Sequence, residues 1–147
     1  MRKPLLLLSI LLVSSAIASQ CPAQLSSMCK CENLVEGFRV NCSSGGNLND
    51  IVAALKDDSI DRLDIHNCSL GIKKLVSFPP MKVRVLTISG CGIEKISPNA
   101  FNNIANGLEE LRLMNNLLTS IPILSNLTDL ESLNLNNNKV NSYINFI

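Results

Sequence analysis

Few side chains in this chain of 147 residues have the types and spacing needed for chemistry. The lone histidine, His66, could act as a general base. Ser89 falls beside it once the strands are laid in register, but no orienting acid or oxyanion donor motif accompanies the pair. Asp61 and Asp64 are oxygen ligands of the kind Ca²⁺ takes, yet no loop concentrates enough of them, so neither a metal nor any other cofactor is expected. Glu110 and Arg112 share a strand face and read as surface charges or partner contacts. The reading is therefore of a protein that is not an enzyme.

Six cysteines and three sequons carry the remaining chemistry. Four cysteines crowd together as Cys21-Pro22, Cys29-Lys30-Cys31 and Cys42, while Cys68 and Cys91 stand apart. The acceptors for N-glycosylation are Asn41 (Asn41-Cys42-Ser43), Asn67 (Asn67-Cys68-Ser69) and Asn126 (Asn126-Leu127-Thr128). Asn126, on a loop, is the foremost candidate; disulfide formation competes for access at the other two.

The elements that must position these residues follow one pattern. Leu108 to Leu118 fits L-x-x-L-x-L-x-x-N/C-x-L at every required position. Ile60, Leu63, Ile65, Cys68 and Leu70 fill the same slots, as do Val83, Leu86, Ile88, Cys91 and Ile93, and then Leu130, Leu133, Leu135, Asn138 and Val140. The four copies are offset by 23, 25 and 22 residues. This predicts a leucine-rich-repeat solenoid of the α/β class, a short curved parallel sheet with an irregular convex side.

Alternation within each strand puts two aliphatic residues inward and the residues between them on the concave face. The concave set is Arg62, Asp64 and His66; Val85, Thr87 and Ser89; Glu110, Arg112 and Met114; Ser132, Asn134 and Asn136. Asp64, Thr87, Arg112 and Asn134 then form a central polar row. All but Val85 and Ser132 are read as the surface offered to a partner, with a merely solvated face as the competing reading.

The ninth slot holds Cys68, Cys91, Asn116 and Asn138. There the chain leaves the strand and its backbone groups need partners, which a buried Asn supplies well and Cys only weakly. A Cys68–Cys91 disulfide is conceivable. Identical slots on parallel strands aim both side chains the same way, so the favoured reading is two buried thiols.

At the N-terminus, Arg2 and Lys3, the apolar run Leu5 to Val13 and Ala16-Ile17-Ala18 read as a signal peptide over 1–18. Its loss turns a formal charge of +1 into about −1. A near-neutral chain without a basic run gives no reason to expect nucleic acid, and no second apolar run predicts insertion into a membrane. The expectation is a secreted, extracellular protein in a compartment where disulfides persist.

Residues 19–59 read as a cap, with a half-buried strand through Phe38, Val40 and Cys42 and a helix N-capped by Asp50 that buries Ile51, Ala54 and Leu55. Phe78-Pro79-Pro80 stops any helix in the first return segment. Ile96, Phe101 and Ile104, then Leu124 and Leu127, enter the core from later ones. Residues 60–147 hold the four repeats, the last incomplete. An unclosed final layer implies a piece of a longer repeat protein, or another chain associating through that C-terminal repeat; the first is preferred.

The cysteine cluster followed by these repeats resembles extracellular leucine-rich-repeat proteins with a cysteine-rich N-terminal cap, over Cys21 to Val140. Four cysteines allow three pairings; the resemblance implies Cys21 with Cys31 and Cys29 with Cys42, while zinc is the competing use of such a cluster. The cap together with the Ile88-Ser89-Gly90-Cys91-Gly92-Ile93 turn is similar to a group of arthropod secreted repeat proteins, such as the non-catalytic subunit of a shrimp luciferase. Two functions follow: a module binding a protein ligand through the concave face, or a non-catalytic carrier or stabilising subunit of a secreted enzyme.

Overall fold

The computed structural model describes residues 21–35, 37–43, 45–69 and 71–141. The signal-peptide reading, Leu70 in its repeat slot, and the tail from Tyr143 onward lie outside them. In chain order the elements are β1 (Cys29–Leu34), β2 (Gly37–Cys42), α1 (Leu48–Ala54), β3 (Ser59–His66), β4 (Lys74–Leu75), β5 (Lys82–Ser89), β6 (Lys95–Ile96), β7 (Glu110–Arg112) and β8 (Ser132–Asn134). Six strands make one sheet in the order β1-β2-β3-β5-β7-β8, and β4 and β6 make a small parallel pair. Only β1 with β2 is antiparallel; every later pairing in the large sheet is parallel.

The register stacks equivalent residues. Val40, Leu63, Leu86, Leu111 and Leu133 follow one another across five strands. The first four of them are 0% exposed, and Leu133 is 40% exposed. Beside that file, Cys42, Ile65 and Ile88 make a second, fully covered one. Such aliphatic files account for a core with so few aromatic rings, since each layer repeats the shape of the one before it.

The return segments close the other side. Phe78 and Phe101 stack with ring centroids 5.8 Å apart, and the Phe78 N–H donates to the Ala100 carbonyl at 2.9 Å. Among the described residues no helix forms before Pro79 and Pro80, where the segment passes through β4. Ile104 and Leu127 are buried, whereas Ile96 and Leu124 are only partly so.

Two expectations need correction. Helix α1 is capped by Asn47, whose side chain accepts the Asn49 N–H at 2.9 Å, rather than by Asp50, which lies inside the first turn. The start moves back because Leu48, Ile51, Val52 and Leu55 form the buried stripe, and Leu48 needs a helical position to join it.

The second concerns sulfur. Cys21 bonds Cys31 and Cys29 bonds Cys42, and Cys68 bonds Cys91 instead of remaining a thiol. Continuing the β3–β5 register places Cys68 and Cys91 in neighbouring slots with Cα atoms 4.7 Å apart, inside the span a disulfide bridges. The parallel-strand objection fails because both residues lie beyond the strand ends. The residues before them, Asn67 and Gly90, have φ of 52° and 68°, which reorients the chain.

Candidate functional site

Every copy leaves its strand through a left-handed residue: Asn67, Gly90, Asn115 and Asn137, with φ between 52° and 68°. Asparagine and glycine tolerate that conformation. At Gly90 space adds a second demand, because a Cβ there would sit 2.7 Å from the Asn67 Oδ1.

The next slot closes the turn. Asn116, 4% exposed, accepts the N–H groups of Cys91 at 3.0 Å and Ile93 at 3.3 Å. Its amide donates to the Ile88, Leu113 and Met114 carbonyls. Asn138 accepts the Leu118 N–H at 3.0 Å and donates to the Leu113 and Leu135 carbonyls. One amide thus ties each of the last two turns to the turn before it.

With the turns fixed, the face of the sheet away from the core is a grid. One row runs Arg39, Arg62, Val85, Glu110, Ser132, and the next runs Asn41, Asp64, Thr87, Arg112, Asn134. His66 and Ser89 are partners in a third row. Met114 and Asn136 follow in the same slot, half-buried and exposed respectively.

The grid is drier at its centre than expected. Asp64, Thr87 and Ser89 are 4%, 3% and 7% exposed, and Val85 is buried as well. For Asp64 the strand itself and its neighbour supply the cover. Arg39 Nη2 donates to Asp64 at 3.1 Å and Arg62 Nε donates to it at 3.0 Å, so two guanidiniums converge on one carboxylate.

Burial alone would raise the Asp64 carboxyl; the Thr87 hydroxyl beside it, then Arg62 and Arg39, more than offset this and hold it below its ordinary value. Farther along, Arg112 pairs with Glu110 at 2.7 Å, which ties up both charges. Ser89 Oγ accepts from Asn115 Nδ2 at 3.0 Å. No hydrogen bond joins it to His66 among the described residues.

Sequence reasoning missed Arg39 and Asn41, which extend both rows onto the cap strand. Their alternation with Phe38, Val40 and Cys42 was the available signal. It also missed a ladder at the strand starts, where Arg84 donates to Asp61 at 2.7 Å and to Glu109 at 3.0 Å. Those bonds, to Asp61 first, hold the guanidinium above its usual pKa. The ladder edges a cleft of about 440 Å³ that includes Gly37, whose φ of 138° and 2.6 Å approach to the Asp61 Cβ exclude a side chain.

Asn126 is exposed and donates to Asn102 Oδ1 at 3.1 Å; Asn67 is exposed and Asn41 half-buried. No group of three or more metal-ligating side chains occurs among the described residues. None of the described helices is long and apolar enough to cross a membrane.

In-register parallel strands, with the first turn bridged to the second by a disulfide and the next two turns closed by an amide from the following copy, define a repeat protein. Residues 82–140 match the family model described as Leucine rich repeat. The chain is also 28% identical, over 122 residues, to the Leucine-rich repeat-containing protein egg-6 of Caenorhabditis elegans. That alignment covers 83% of this chain and 12% of the relative, so the chain spans a small part of the relative's length. No solved structure matches the chain. Both matches support a leucine-rich-repeat protein.

Proposed function

We propose that the chain is a secreted leucine-rich-repeat solenoid that recognises a protein partner through the concave face of its sheet, without catalysis. A disulfide-bonded cap over 19–59 precedes the repeats of 60–147. The observation that carries this reading is the grid itself: side chains from five strands held at fixed spacing by bonded turns, so that little ordering cost falls on binding. Contacts would come from Arg62, His66, Glu110, Arg112, Met114, Asn134 and Asn136, with the buried Asp64, Thr87 and Ser89 supporting them from beneath. Three disulfides support export to an oxidising compartment. The exposed Asn126 is the proposed glycan carrier.

The test is crosslinking in the native source fluid. A photoreactive side chain at Met114, on the grid, should join the protein to one discrete partner. The same group at Ile123, 60% exposed in a return segment, should not. Crosslinks from Ile123 alone would move the site to the other side of the molecule.

A further inference from the structure

Three buried side-chain polar atoms lack a well-formed hydrogen bond among the described residues: Arg39 Nε, Asn41 Oδ1 and Thr87 Oγ1, the last lying close enough to Asp64 to lower its carboxyl without good bond geometry. All three lie around one carboxylate. Asn41 and Thr87 are the neighbours of Asp64 along its row, and Arg39 reaches it from β2. Thr87 is 3% exposed, so its hydroxyl sits inside the grid.

The donors outnumber the acceptors. Each guanidinium carries five N–H groups. Arg39 gives one to Asp64 through Nη2, Arg62 gives one through Nε, and neither has another acceptor among the described residues. Asp64 is the shared anion of both, so the group keeps one net positive charge. On β1, Lys30 and Glu32 stand opposite Asn41 and Arg39 and offset each other. The next guanidinium on the face, Arg112, is neutralised by Glu110.

Taking the outer face as the recognition surface, on which this inference rests, the geometry points to a subsite for an acidic side chain of the partner protein. Arg39 and Arg62 receive the Asp or Glu carboxylate through their unspent N–H groups, as guanidiniums do in charge-assisted pairs. Asp64 holds the two guanidiniums in place and leaves one charge for the newcomer. A polyanionic chain is the poorer fit, because it requires a run of free cations and this face offers one net charge.

The experiment follows the arginine Nε–H signals of the isotope-labelled mature protein by NMR. The probes are the acetylated tripeptide amide Gly-Glu-Gly, its Gly-Gln-Gly counterpart and a heparin hexasaccharide. The Glu peptide should shift the Arg39 and Arg62 signals saturably and leave those of Arg84 and Arg112 in place. The Gln peptide should bind about tenfold more weakly, the worth of one charge-assisted hydrogen bond. Asp64→Asn removes the internal competitor and should tighten the Glu peptide; Arg39→Gln, which leaves Asp64 paired with Arg62, should weaken it.

The subsite is overturned if Arg39 and Arg62 do not move, if the Gln peptide matches the Glu peptide, or if all arginines shift alike. Preference for heparin would assign a polyanion instead. Should Asp64→Asn not fold, Arg39→Gln decides alone, and unchanged binding refutes the proposal. Failure here with crosslinking from Met114 intact removes the acidic subsite and spares the outer-face reading; loss of both removes that reading.

Discussion

Asn116 is the side chain on which the later turns depend most. Its amide serves two backbone donors and three carbonyls in a site closed to water. Asn116→Ala strands several of these groups and should lower the unfolding free energy by about 3 kcal/mol. Asn138→Ala, at a half-buried site, should cost less. Urea denaturation checks both, and an unchanged midpoint for Asn116→Ala would show that the turn closes without its amide. Asp64 makes a pH-dependent contribution. Its carboxyl is lowered in the fold, so the stabilisation is complete above the unfolded value of 3.8 and is lost as pH falls through the lower folded value. Melting temperatures should therefore fall more steeply on acidification in the wild type than in Asp64→Asn. Asp58, raised by burial and then by Asp57, acts in the opposite sense. A slope that survives Asp64→Asn would assign the effect to other carboxylates.

At the scale of the element, period-two alternation made the strands and the rows of the grid legible, because each strand's two faces follow from its own residues. The burial of Asp64 was not legible in this way. It depends on Arg39, whose register with Arg62 crosses from the cap into the repeats. Nor was the Cys68–Cys91 bond, since reasoning from strand geometry stops where Asn67 and Gly90 turn left-handed. That bond occupies the slot in which Asn116 and Asn138 work farther along, so sulfur joins the first two repeats where amides join the later ones. Replacing both cysteines by alanine should cost about 3 kcal/mol, from a loop of 23 residues. Cys68→Ala with Cys91→Asn should recover part of that loss, by offering the first turn an amide. Guanidinium unfolding of the two double variants compares them, and equal stabilities would deny the equivalence of bridge and ladder.

Across the whole molecule the two kinds of staple are segregated. All three disulfides lie between Cys21 and Cys91, whereas the closing amides begin at Asn116. The family match, over residues 82–140, covers the amide-closed copies and little of the bridged part. In a stack whose layers touch only their neighbours, a local loss of stability spreads as far as the interfaces are strong. Reduction should then raise hydrogen exchange first in β1, β2 and β3, which the bridges join to the cap and to the Cys91 turn. Amides closed by Asn116 and Asn138, such as those of Ile93 and Leu118, should hold their protection longer. Exchange followed by mass spectrometry with and without reductant measures the difference. If protection instead collapses together along the chain, the shared aliphatic file from Val40 to Leu111 outweighs the turns, and the molecule opens as one cooperative unit.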